Sequence, residues 1–174
     1  YGVYTYAGHV NNSLSPAASR LAVGAPAGST WNGSFDNLSY GSAGIAATYE
    51  GFTFGANYIG GAMNGRGAAR PSGGSTMNAF LVGLQYQNGP LAIGTVFANI
   101  DEQGSVAMAG LTQRHEYEFS VGGSYALAPG LVMFADYLYQ NRKQGGFNFA
   151  TGAVGTANNQ VQGQGFVIGT QVTW

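Results

Sequence analysis

Residues 71–100 and residues 144–174 contain no Asp, Glu, Lys, Arg or His, so the chain has uncharged runs of 30 and 31 residues. Gly, Asn, Gln, Ser and Thr carry the polarity instead. A soluble surface uses Lys and Glu for that purpose, and an ordinary soluble domain is about 25% charged. This chain is 7% charged. A surface that meets lipid excludes charge, because a basic side chain at the midplane of a barrel costs roughly 2–4 kcal/mol. Disorder does not explain the pattern, since 45% of the residues are hydrophobic and 13% aromatic and disordered segments are poor in aromatics. The 30 glycines do not recur every third residue, which excludes collagen. A membrane-spanning helix needs about 18 apolar residues in succession. The longest apolar or small run, residues 125–135, has eleven and is broken by Pro129-Gly130.

Hydropathy alternates with period two, the mark of half-buried strands. It is clearest at the C-terminus. Phe166, Ile168, Thr170, Val172 and Trp174 share one face, and Val167, Gly169, Gln171 and Thr173 the other. Residues 114–126 set His115, Tyr117, Phe119, Val121 and Tyr125 against Arg114, Glu116, Glu118, Ser120 and Ser124. The pattern predicts eight strands, over residues 1–8, 38–49, 52–59, 78–87, 91–99, 114–126, 131–140 and 165–174. The breaks alternate in length. Glu50-Gly51, Asn88-Gly89-Pro90 and Ala128-Pro129-Gly130 are tight turns, where Gly supplies positive φ and Pro fixes φ. Residues 9–37, 60–76, 100–113 and 141–164 are long breaks rich in Gly, Asn, Ser and Ala.

Short and long connections in alternation mean an up-and-down meander with every short turn at one end. That is the layout of an all-β, antiparallel transmembrane β-barrel in an outer membrane. Strands of about 9–11 tilted residues cross a bilayer. A soluble β-sandwich also has short alternating strands, but it has an apolar inner face and a charged outer one. Here the more apolar face bears Phe52, Tyr58, Tyr86, Tyr117, Tyr139 and Trp174 at strand ends, as an interfacial girdle requires. The opposite face is read as Gly, Ala, Ser, Thr and Gln. The barrel therefore predicts that Phe52, Phe54, Tyr125, Phe166, Ile168 and Val172 are uncovered in the isolated chain. The sandwich predicts that they form a dry interior.

Little points to catalysis or cofactors. Net charge is −1 with scattered acids and bases, so no basic stripe invites nucleic acid. There is no cysteine. His9 and His115 lack zinc-motif spacing, no nucleophile is marked, and no phosphate-binding fingerprint is present. Neither an enzyme, a cofactor nor a metal is expected. Asp101-Glu102 reads as a solvated loop tip, with a divalent cation as the less favoured use. The sequons at Asn11, Asn32 and Asn37 are chance matches in an Asn- and Ser-rich chain. Arg114, Glu116 and Glu118 share the face opposite the aromatics, which would be the lumen face. They form either a charged patch on a pore wall or a strand end where charges pair among themselves. Asp136 is the better pore-lining candidate, because it lies mid-strand where a lipid-facing carboxylate is costly.

Several segments resemble the Gram-negative general porins: Ala47-Thr48-Tyr49-Glu50-Gly51-Phe52, Tyr86-Gln87-Asn88-Gly89-Pro90-Leu91 and residues 123–131. Residues 166–174 are similar to that family's last strand, which ends on an aromatic. The resemblance covers the whole chain, residues 1–174, as a single barrel region. It implies the C-terminal half of a sixteen-stranded barrel, in a homotrimer that passes ions and small polar solutes by diffusion. It also implies that membrane lipid surrounds the chain and that the outer-membrane assembly machinery reads Phe166, Ile168, Val172 and Trp174. The family's constriction loop would precede Tyr1, and its arginine ladder has no counterpart among the six basic residues here. A structural or adhesive barrel that presents loops and conducts nothing is the competing function. Independently of the resemblance, the inward residues are too small to fill an eight-stranded barrel, whose interior is just filled by side chains. The eight strands are therefore expected not to close on themselves, and residues 1–8 to be an interior strand of a larger sheet.

Overall fold

The computed structural model describes residues 2–7, 35–36, 38–64, 69–105 and 111–173. Trp174, His9, the three sequon asparagines and most of the predicted break over 9–37 lie outside the described residues. The elements are β1 Gly2–Ala7, β2 Leu38–Tyr49, β3 Phe52–Ala62, β4 Met77–Asn88, β5 Leu91–Glu102, β6 Arg114–Ala128, β7 Leu131–Gln144, β8 Phe147–Asn148, β9 Ala153–Val154 and β10 Gln160–Val172. Eight of them form one sheet in the order β1-β2-β3-β4-β5-β6-β7-β10, while β8 and β9 make a small separate hairpin. Every neighbouring pair is antiparallel. The fold is thus the expected all-β meander. Among the described residues β1 and β10 do not pair, so the eight strands form an open sheet, consistent with half of a larger barrel.

The three short turns fall where expected, each for its own reason. Glu50 and Gly51 both take positive φ, 45° and 85°, as the twist-matched two-residue hairpin requires. A Cβ at Gly51 would strike the Gln87 carbonyl oxygen. Gly89 has φ 54° and precedes Pro90, the order of a type II′ turn. Pro129 followed by Gly130, at φ 78°, is the type II order, whose twist splays a hairpin. The register shift between Ala126 and Ala128 absorbs that mismatch, since a bulge adds local twist.

At the opposite end the strands outrun the sequence-based limits. β3 reaches Ala62 rather than 59, β5 Glu102 rather than 99, β7 Gln144 rather than 140, and β10 starts at Gln160 rather than 165. These extensions hold Asn, Asp, Glu, Arg, Lys and Gln, some reaching water, as Lys143 does, and others buried, as Glu102, Asn141 and Gln144 are. Hydropathy then stops alternating while backbone pairing continues. The predicted loop over 141–164 also contains the β8–β9 hairpin.

The sheet has two unlike faces. Phe166 and Ile168 are each 67% exposed, Val172 56%, Phe52 49%, Tyr125 48% and Phe54 46%. The dry interior of a sandwich is not there. On β6 the exposed apolar set runs from Tyr117 to Leu127. At about 3.3 Å per residue and a tilt near 40°, it spans roughly 25 Å, the height of a lipid-facing band. Aromatics gather toward both edges of the band. The rings of Phe52 and Tyr86 lie 4.5 Å apart, tilted by 38°, near the turns, and Tyr117 and Tyr139 lie 5.8 Å apart toward the loops.

The inner face departs from the expectation of uniformly small residues. It holds Leu81, Val96, Phe134, Leu138 and Val167 besides Ala79, Gly83, Gly94 and Gly122. Large and small residues sit side by side across strands. Phe134 is opposite Gly169, where a Cβ would come within 2.7 Å of its ring. Asp136 is opposite Gly122, where a Cβ would meet its carboxylate. The glycines are sockets for neighbouring side chains. A small apolar core of Met63, Met77 and Ala79, with Leu38, Tyr40, Ile59 and Ile100 against it, covers this face at the loop end.

Candidate pore wall

Directly opposed residues share a face, so the ladders carry Arg114, Glu116, Glu118 and Asp136 onto one surface. Glu102 faces Arg114, and Arg114 faces Gln144. One row nearer the turns, Ile100 faces Glu116, and Glu116 faces Arg142. Glu118 lies between Ala98 and Gln140 in the next row. Asp136 lies opposite Gly122 and Val167. Four residues separate Glu118 from Gly122, about 13 Å along the strand, so Asp136 stands apart from the other three.

At the loop end the charges pair. The Glu116 carboxylate lies 2.6 Å from Arg142 Nε and 4.0 Å from Arg114 Nε, and accepts a 3.0 Å hydrogen bond from Arg142 Nη2. Arg114 Nη1 is 3.7 Å from Glu102. Arg114 Nε also donates to Gln144 Oε1 at 3.0 Å and its Nη2 to Ser105 Oγ at 3.2 Å. Its guanidinium lies 5.4 Å from the centroids of both Phe147 and Phe149. Cation–π attraction of that kind contributes about 0.5–2 kcal/mol. The sequence left two readings open for Arg114, Glu116 and Glu118. For Arg114 and Glu116 the mutual pairing is present; Glu118 makes no ion pair among the described residues.

Two glutamines anchor the loops over this end. Gln144 is fully buried and Gln103 is 1% exposed. Gln144 Nε2 donates to the Ser105 and Thr112 carbonyls. Gln103 Nε2 donates to Thr112 O at 3.0 Å, and its Oε1 accepts from Ser75 N at 2.8 Å. Asn64 exchanges two 2.8 Å hydrogen bonds with the Gly104 backbone. Arg70 and Asp36 form a 2.9 Å ion pair between two further loop segments. Beneath these loops a hollow of about 470 Å³ is lined by Glu102, Arg114, Glu116, Arg142, Met77 and Ile100 among others. A second hollow, about 530 Å³, lies nearer the turns, where Asp136 is the one charged lining residue among the described residues.

Asp101-Glu102 is corrected on both of its readings, because it closes β5 and is not a loop tip. Adjacent strand residues point to opposite faces. Asp101 points outward and meets His115 Nδ1 at 2.5 Å, while Glu102 points inward, so the two carboxylates cannot share one cation. Sequence reasoning missed Glu102, Arg142 and Gln144 as members of the inner set, and Gln103 as a loop anchor. The usable signal was parity: Arg142 lies six residues from Asp136, and Glu102 four from Ala98. Phe166, Ile168 and Val172 lie on the outer face, opposite Tyr137, Ala135 and Leu131 of β7.

No curated protein matches the chain. The family model described as Gram-negative porin matches residues 4–166, nearly the whole chain, leaving out the first three residues and the second half of β10. With an open antiparallel meander, an apolar band outside and charged side chains inside, the chain belongs to the Gram-negative porins, a family of outer-membrane channel proteins.

Proposed function

We propose that residues 1–174 form one continuous wall of a water-filled pore, through which ions and small hydrophilic solutes pass by diffusion. The observation that carries the reading is the contrast between the two faces of a single sheet. One is a lipid-height apolar band without a charge between Tyr117 and Leu127 on β6. The other bears Arg114, Glu116, Glu118 and Asp136, the last beside a hollow lined by Gly55, Gly83, Gly94 and Gly122. Asp136 and Glu118 bias the wall toward cations, because the remaining described charges of that face pair with one another. A pore requires more strands than these eight, and a homotrimer is the assembly that porin membership favours. The assembly machinery would read Phe166, Ile168, Val172 and Trp174; in support, the three described members of that set share the lipid face of β10.

Planar-bilayer recording of the protein purified from outer membranes tests this. Discrete conductance steps with a cation-biased reversal potential are expected. A protein that inserts but gives no steps would leave the adhesive, loop-presenting barrel as the better account.

A further inference from the structure

The inner face around Asp136 is unlike a wall built only to meet water. Val167 is 55% exposed there, Leu138 46%, Leu81 45% and Val96 38%, and the ladders gather all four near one carboxylate. Val167 is directly opposite Asp136. Leu138 follows Asp136 by two residues on β7 and so shares its face. Val96 lies beyond Ser120 in the Leu138 row. Leu81 is diagonal to Val96, two residues from the Gly83 that Val96 opposes. Single exposed apolar side chains are ordinary, but four around a carboxylate make an amphipathic patch. From it we infer a subsite for small organic cations that carry a hydrocarbon tail, an ammonium joined to a short alkyl chain. The inference rests on the channel reading above and adds a ligand class to it.

The hollow at this patch measures about 530 Å³, within the range of about 300–1,000 Å³ typical of small-molecule sites. Leu81 and Val96 line it, Ser120 and Gln85 add neutral polarity, and Asp136 is the one charge among its described lining residues. Asp136 makes no ion pair among the described residues, so its carboxylate is available to an ammonium. Arg114 and Arg142 are held at the loop end and do not repel one here. Glycine keeps the shelf bare. A Cβ at Gly83 would come within 3.4 Å of Val96 Cγ2, and one at Gly55 would meet nothing within 4 Å. Val96 stands two strands and two residues from Asp136, about 12 Å between Cα atoms, so an alkyl chain leaving the carboxylate runs toward its methyl groups. Full burial of a methylene tightens binding about fourfold. A wall covers one side of the chain only, which brings the gain to about twofold per carbon. Binding of that strength permits both entry and exit, as a diffusion path requires.

The test is block of single-channel sodium current through the purified protein in planar bilayers at about 0.1 M salt. The probes are methylammonium, butylammonium and hexylammonium, which carry the same charge. Selection by charge and size alone gives no gain from butyl to hexyl. The subsite lowers the half-blocking concentration about fourfold over those two carbons. D136N should raise that concentration about twofold for all three ions and keep the step between them. L81N/V96T, which changes two exposed side chains without adding charge, should shrink the step to under about twofold. Equal values for butylammonium and hexylammonium in the parent protein would mean that another part of the barrel covers the shelf, and overturn the subsite. A step undiminished in L81N/V96T would place the tail elsewhere, in lipid for instance, and overturn it too. So would a D136N protein that holds all three ions as tightly as the parent. In each of those cases the channel stands. If no current steps are seen before any amine is added, the channel reading falls and the subsite with it.

Discussion

Replacing Asp136 by Asn removes one charge and almost no volume, so its effect on ion passage can be worked from the wall itself. The hollow beside Asp136 has a volume of about 530 Å³, which as a sphere has a radius of about 5 Å, so an ion crossing it comes within about 5 Å of the carboxylate. At that distance the Coulomb energy in water is about 0.8 kcal/mol. Screening at 0.1 M salt, where the Debye length is about 10 Å, reduces it to about 0.5 kcal/mol. That raises local cation occupancy about twofold and lowers anion occupancy by a similar factor. The cation-to-anion permeability ratio of Asp136→Asn should therefore fall about fivefold at 0.1 M. At 1 M the Debye length is about 3 Å, and the same calculation gives a change of less than about twofold. Reversal potentials across a salt gradient, measured in bilayers at both mean concentrations, supply the ratio. An unchanged reversal potential at low salt would remove Asp136 from the conducting wall. An effect of equal size at both concentrations would show that the carboxylate acts by some route other than its field.

Glu116→Ala leaves Arg114 and Arg142 without their shared carboxylate. Breaking a buried pair costs about 3–5 kcal/mol; Arg142 is partly exposed, and screening there brings the expected loss to about 1–3 kcal/mol, read by urea unfolding in lipid vesicles. A double-mutant cycle with Arg142→Ala that shows no coupling would refute the pairing. Phe166→Arg places a cation within the apolar band and should reduce stability by about 2–4 kcal/mol; a variant as stable as the parent would mean that Phe166 does not meet lipid. Gly122→Ala pushes the Asp136 carboxylate aside and brings a Cβ within 3.1 Å of the Ala135 carbonyl oxygen, so the side chain moves away and the strand gives by a few tenths of an ångström. It should therefore shift the reversal potential with a stability change of under about 1 kcal/mol, and an unshifted potential would separate the Gly122 socket from selectivity.

The strands that cross the apolar band were readable because lipid on one face and water on the other force hydropathy to alternate. Tyr117, Phe119 and Val121 against Glu118 and Ser120 is the clearest case. The three turns were readable because Gly and Pro supply torsions that other residues resist. The ends of β3, β5, β7 and β10 were not. Beyond Tyr117 and Tyr139 both faces of the sheet can meet water or folded loops, and alternation no longer reports pairing that the backbone still makes. For that reason Glu102 and Arg142 were passed over, although both have the parity of the inner face.

The inner wall was legible in outline and misread in texture. Reading Gly83, Gly94, Gly122 and Gly169 as a bare wall treats each residue as if it filled only its own position. In a sheet the partner across the strand decides how that space is used. Phe134 occupies the space over Gly169, and Asp136 that over Gly122, so two of the four glycines hold a neighbour's side chain. The difference matters for function. An empty wall would let an ion pass at any distance from the carboxylate. A carboxylate seated over Gly122 fixes where the charge stands, and on the pore reading proposed above a solute would pass beside it. Such an arrangement appears in a sequence only when a large and a small residue are read as one cross-strand pair, and that requires the register.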